Sequence, residues 1–276
     1  MIIPEILNYV FFQHALIGSL LVSICCGILG TYIVTRRLVF ISGGITHASF
    51  GGLGLGFYAG INPIVTAIIF AVLSAFGVQW LSKKHAVRED SAIAVVWALG
   101  MALGVIFIFM SPGYTPGLTE FLFGNILTIT TTDLLWFGIF SLALCIFTAL
   151  FLHIIIFIAF DPEFAKVRRL PVRLIEYTML CFIAIAIVLS IRMIGIVLLM
   201  SVLTLPQMIS NVFSNNYRKI MMGSIFNCMI ACVGGLFLSY YLNVPAGACI
   251  VFNLTLMYGI AKGLHSFKRK TVPARQ

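Results

Sequence analysis

Nine long apolar stretches, parted only by short polar breaks, run through this sequence and leave few folds open to it. They lie near 13–35, 40–60, 63–82, 91–111, 132–158, 174–191, 193–213, 220–241 and 246–264. Stretches of about 18–25 apolar residues match the hydrocarbon thickness of a bilayer when helical, because a helix satisfies its own backbone polar groups where no water can. The breaks carry charge or turn signals: Arg36-Arg37, Asn62-Pro63, Lys83 to Asp90, a Pro/Gly/Thr stretch over 111–119, and Asn243-Val244-Pro245. The expected fold is therefore all-α, a polytopic integral membrane bundle of about eight to nine transmembrane helices forming one domain over residues 1–276. The segment 193–213 is the leading candidate for a broken or re-entrant span, because Pro206 interrupts it.

Composition agrees. Hydrophobic residues make up 61% of the chain and charged residues 9%, against about 45–50% and about 25% in soluble domains. Lys and Arg outnumber Asp and Glu by 17 to 8. The basic residues sit singly or in short clusters between apolar runs, which is the pattern of loops flanking membrane spans and not of a nucleic-acid surface. All seven cysteines fall inside apolar segments. Cys228 and Cys232 share a helical face and could hold a soft metal, but a buried free cysteine ordinarily packs as a small hydrophobe. No disulfide framework is implied. The first twelve residues carry no Lys or Arg and the apolar run outlasts a signal peptide, so no cleavable leader is expected.

The charges set the orientation. Arg36, Arg37, Lys83, Lys84, Arg88, Lys166, Arg168, Arg169, Arg173, Arg218, Lys219 and the tail from Lys262 to Arg275 all fall on one side of the nine-span arrangement. No Lys or Arg occurs between Arg88 and Lys166, an interval that holds the long loop 111–131 on the other side. Only Arg192 breaks the pattern. By the positive-inside rule the N-terminus is expected outside and the C-terminus in the cytoplasm, in a cytoplasmic (inner) membrane surrounded by lipid.

The second span is rich in glycine. Gly44, Ala48, Gly52, Gly56 and Gly60 recur every four residues, a stripe that lets a neighbouring helix backbone come close. Beside it run Gly43, His47 and Gly51, which leave space around the imidazole. An ionisable residue inside a span marks a candidate functional site, and neutral imidazole is a common transition-metal ligand. From position alone, a histidine hydrogen-bonded to a neighbouring helix is an equal reading. His14 and His265 stand at span ends, His85 lies in a basic loop, and His153 has apolar neighbours that favour packing.

Two loops also stand out. The loop 111–131 carries Tyr114, Thr115, Glu120 and Asn125 and could receive a partner protein or serve only as a connector. The stretch from Asp161 to Pro171 reads as a short helix with Pro162 at its first position, acids at its start and bases at its end, as the helix dipole favours. It could lie on the membrane surface or dock a cytoplasmic protein. The sequence contains no G-x-x-x-x-G-K-[ST] phosphate loop and no metalloprotease or serine-hydrolase motif. Few ionisable residues lie within spans, which argues against a carrier built on carboxylate proton relays.

Taken in order, these motifs resemble the membrane permease subunits of ABC importers for zinc, manganese or iron. The resemblance rests on Phe12-Gln-His-Ala-Leu16, Gly27-Ile-Leu-Gly30, Arg36-Arg37, Gly44-Ile-Thr-His47-Ala48, Arg88-Glu-Asp-Ser-Ala-Ile93 and Leu122-Phe-Gly-Asn-Ile-Leu127. It continues through Asp161-Pro-Glu-Phe-Ala165, Gly195-Ile-Val-Leu-Leu199, Leu205-Pro206 and Val244-Pro-Ala-Gly247. It implies an importer in which two permease copies form a homodimer around the pathway. Separate cytoplasmic ABC ATPase subunits would hydrolyse ATP, so this chain is not itself expected to be an enzyme, and an extracytoplasmic metal-binding protein would deliver the ion. No cofactor is expected to be bound permanently; the divalent metal ion is cargo.

The same resemblance makes 161–171 the helix that couples to the ATPase, with Asp161, Pro162, Glu163, Phe164, Ala165, Lys166, Arg168 and Arg169 as its residues. It makes Tyr114, Thr115 and Glu120 the face offered to the binding protein, and puts His47 on the metal path. Family members often carry an aspartate one turn before that histidine, where this chain has Gly43; Ser42 and Thr46 supply neutral oxygens nearby. An ATP-independent secondary metal transporter or channel remains the alternative, and a membrane scaffold or enzyme subunit is a further rival in which His47 only packs.

Overall fold

The computed structural model describes residues 8–84, 88–112, 122–124 and 129–271. Among them stand nine long helices, α1 (Val10–Thr35), α2 (Val39–Ala59), α3 (Pro63–Lys84), α4 (Glu89–Met110), α5 (Thr131–Phe160), α7 (Val172–Ile194), α8 (Ile196–Phe213), α9 (Tyr217–Leu242) and α10 (Ala246–Thr271), with the short α6 (Pro162–Val167) between α5 and α7. Eight of the long helices are apolar and long enough to cross a membrane. The exception is α2, whose 21 residues suffice in length but include six glycines, two serines, a threonine and a histidine. A helix this poor in large apolar side chains is shielded from lipid by its neighbours. It packs chiefly on α4 and α3 and also meets α8 and α7.

The helices form two linked groups. One is α2, α3 and α4; the other gathers α8, α9 and α10, with α1 packed against α9, α5 and α8. α1 is the enclosed member, 72% buried in its most apolar window, whereas α4 is 17% buried and turns most of its surface outward. The outward residues of α4 and α5 are large and apolar, among them Phe109, Leu135, Leu142 and Leu150. That is how a bundle dissolved in lipid presents itself.

The turn basic clusters converge on one end of the bundle. Arg36, at the end of α1, pairs with Glu176 of α7 and donates to the Ile158 carbonyl of α5 at 3.2 Å. Arg218, at the start of α9, lies 3.1 Å from the His153 imidazole of α5. His153 thus meets a guanidinium where its apolar sequence neighbours suggested plain packing. At the opposite end, Arg192 pairs with Asp133, so the one basic residue that broke the charge pattern is matched by an acid. Asp133 also accepts from the Thr130 backbone N–H at 3.0 Å while the Thr130 hydroxyl accepts from the Asp133 N–H at 3.2 Å, a capping box that starts α5. The His14 ring contacts the Ile129 carbonyl at 3.1 Å at this same end.

The expected interruption at Pro206 does not occur. α8 continues through it, and the Gln207 side chain donates to the Cys26 carbonyl of α1 at 2.6 Å in the buried seam between the two helices. The break falls instead at Gly195, whose φ of +88° is a conformation that side-chain-bearing residues rarely adopt. Gly124 and Gly247 are drawn into the same joint: a Cβ on Gly124 would stand 2.7 Å from the Gly195 nitrogen, and one on Gly247 would stand 3.0 Å from the Phe123 carbonyl oxygen. Residues 122–124 therefore lie directly on the α7–α8 joint.

Candidate functional site

The glycine pattern of α2 resolves into distinct contacts. A Cβ on Gly44 would come within 2.6 Å of the Ile93 side chain of α4, and Ala48 abuts Gly100 of α4 so closely that a Cβ there would lie 2.5 Å from the Ala48 Cα. Gly52 and Gly56 face α3 instead, where Thr66, Ala67 and Pro63 fill the equivalent space. Gly60 departs from the expected stripe. It has φ +67°, ends α2 as its left-handed cap, and has no heavy atom within 4 Å of where a Cβ would stand. The matching glycines on α4, Gly100 and Gly104, escaped the sequence reading although their spacing of four is the same signal; a Cβ on Gly54 would stand 2.5 Å from the Gly104 carbonyl oxygen.

Within this tightly held helix, every residue from Ile41 to Gly54 is buried except His47. Its imidazole lies flat on the indole of Trp97 in α4, with ring centroids 4.2 Å apart and planes 5° from parallel. Its Nδ1 is buried and has no hydrogen-bond partner. The alternative of a histidine hydrogen-bonded through Nδ1 to a neighbouring helix is thus not what the geometry provides.

Ser42 and Thr46 are placed differently from His47. Both are buried, and their hydroxyls donate within α2, Ser42 to the Val39 carbonyl at 2.8 Å and Thr46 to the Ser42 carbonyl at 2.7 Å. At 100° per residue they also point away from the His47 face. They do not form a donor set with it. The space at Gly43 is taken by Met200 of α8, whose Sδ lies 2.5 Å from where a Cβ would be built. Among the described residues no group of three His, Cys, Asp or Glu stands close enough together to hold a metal ion.

The α6 element is a compact knuckle. The Asp161 carboxylate accepts from the Phe164 N–H at 2.9 Å, Pro162 opens the helix, and Ala165 is fully buried against the bundle. Glu163 and Lys166 form an exposed ion pair at 2.6 Å, the Arg168 guanidinium lies 5.3 Å from the centre of the Phe164 ring, and Arg169 takes a left-handed φ of 56° that ends the turn. Its outward surface mixes these charges with exposed Phe164 and Val167. Tyr114, Thr115 and Glu120 lie outside the described residues.

The described residues thus form an all-helical, multi-pass membrane bundle in which one buried, glycine-packed helix carries a partly open histidine. The ABC 3 transport family matches residues 8–263, and the chain belongs to that family. It is similar to a probable metal transport system membrane protein of Chlamydia pneumoniae, 35% identical with 88% of this chain and 85% of that protein covered. It is also similar to a manganese transport system membrane protein of Listeria innocua, 30% identical over 97% of both chains. Among solved structures, PsaBC from Streptococcus pneumoniae in complex with Fab has a chain 27% identical with a TM-score of 0.86, covering 94% of this chain and 93% of that one.

Proposed function

We propose that this chain is the permease subunit of an ATP-driven importer that passes divalent metal ions, zinc, manganese or iron, from an extracytoplasmic binding protein to the cytoplasm. The observation that carries the reading is His47: the single opening in an otherwise buried stretch of α2, ring-stacked and with Nδ1 unpartnered. Membership of the ABC 3 transport family and relatives named for metal and manganese transport support it. Two copies pair to enclose the pathway. The basic end faces the cytoplasm of an inner-membrane protein whose N-terminus is outside, and α6 docks one of the separate ATPase subunits. The loop 111–131, anchored through 122–124 on the α7–α8 joint, receives the binding protein.

In this reading a transported ion is held briefly rather than chelated. Conduction needs binding favourable enough to enter a site and weak enough to leave it, and a histidine with few partners meets that need better than a closed cage. Replacing His47 with Ala in the assembled complex is expected to lower metal uptake at limiting concentration by about tenfold or more, with the ATPase still co-purifying. Uptake equal to wild type across low metal concentrations would remove His47 from the pathway.

A further inference from the structure

One helical turn before His47, α2 meets a side chain that no motif predicted. Side chains on a helix lean toward its N-terminus, so the His47 imidazole overhangs the turn of Gly43 and Gly44. Trp97 covers one ring face. Gly44 is occupied from the α4 side by Ile93, while Gly43 is occupied from the α8 side by the Met200 thioether, with Sδ and Cε 2.5 and 3.0 Å from the position of an absent Cβ. A side chain larger than hydrogen at residue 43 would displace that sulfur. Met200, like His47, is only partly buried, and it belongs to a strip of α8 open to the surface at Val197, Ser201, Thr204 and Met208. Met200 thus packs on the α8 side of α2 one helical turn before His47.

The hydroxyls of Ser42, Thr46, Ser49 and Thr204 are oriented by their own helices. Ser42, Thr46 and Ser49 donate to carbonyls of α2, and Thr204 donates to the Met200 carbonyl at 2.9 Å. Among the described residues of α2 and α8 there is no carboxylate. Imidazole nitrogen and thioether sulfur suit softer and borderline ions, whereas Mn²⁺ is served best by carboxylate, carbonyl and water oxygens.

We propose that Met200 acts with His47 as a donor to the ion in transit and biases the pathway toward a borderline cation, Zn²⁺ or Fe²⁺, over Mn²⁺. This rests on the pathway reading of His47, and the test separates the two. Uptake of Zn²⁺ and of Mn²⁺, each supplied alone below saturation, is measured for the complex of this chain with its ATPase and binding protein. Met200→Leu keeps the volume and removes the sulfur; Met200→Cys restores a sulfur donor.

The wild-type complex is expected to prefer Zn²⁺. Met200→Leu is expected to lower the Zn²⁺ to Mn²⁺ uptake ratio by about tenfold with Mn²⁺ uptake retained, and Met200→Cys to hold the ratio near wild type. A ratio unchanged in Met200→Leu, or equal losses for both ions as a packing role would give, overturns the proposal. If His47→Ala still abolishes uptake in that case, the pathway reading survives alone. A wild-type complex that carries neither ion overturns both.

Discussion

At the scale of single residues, the polar side chains fall into those that hold the bundle together and those left with unmet bonding capacity. Arg36 and Arg192 belong to the first kind, each tying two helices through an acid at opposite ends of the molecule. Thr130 belongs there as well, because its hydroxyl caps α5 where Asp133 must also be positioned to meet Arg192. Thr130→Ala is expected to destabilise the protein by about 1 kcal/mol, read as a lowered midpoint of thermal unfolding in detergent; an unchanged midpoint would show that the capping box contributes nothing. His47 belongs to the second kind. Its isolation inside a glycine-rich span was legible in the sequence because ionisable groups in lipid are rare. Met200 was not legible, since the proximity of α8 to Gly43 exists only once the helices have packed and one Met among 11 looks like filler.

At the scale of elements, the glycines decide which helices touch. α2 and α4 approach until backbone meets backbone, with Gly54 against Gly104 and Ala48 against Gly100. In lipid, where apolar side chains gain nothing by leaving the solvent, such close van der Waals contact is what holds helices together. Gly100→Leu is therefore expected to cost at least about 1–3 kcal/mol by overpacking and to reduce the yield of monodisperse protein sharply. Gly138→Leu, at a position in α5 with nothing within 4 Å, should leave the yield unchanged. Equal yields from the two variants would contradict this account of the α2–α4 contact.

The element boundaries show where sequence reading ran out. α8 continues past Pro206 because a helix in lipid has no water to take up the backbone groups that a break would free. Gly195 was weighted too lightly, lying between two isoleucines with no polar residue to announce a turn. The spans themselves were readable to within a few residues, because length and hydropathy are imposed by the bilayer and not by tertiary packing.

At the scale of the whole molecule, charge divides the bundle into two working ends. α6 projects at the basic end, its exposed Phe164 and Val167 framed by Glu163, Lys166 and Arg168. If this knuckle docks the ATPase, replacing Glu163 and Arg168 together with Ala should weaken co-purification of the ATPase by about tenfold or more, since interface energy concentrates in a few such residues. Undiminished co-purification would place the contact elsewhere. Neither docking residues nor a partner's shape can be read from periodicity, which is why the knuckle was recognisable as a short helix but gained a role only through the family it resembles.

In the proposed function, ATP hydrolysis on another subunit drives metal through this chain. The most direct measurement loads proteoliposomes with the permease alone, with the permease and its ATPase plus binding protein, and with the same complex carrying His47→Ala, and follows radioactive Zn²⁺ and Mn²⁺ uptake with and without ATP. Metal is expected to accumulate only in the complete complex with ATP, and to do so far less with His47→Ala. Uptake by the permease alone at the rate of the full complex, independent of ATP, would contradict this and make the chain a secondary transporter or channel.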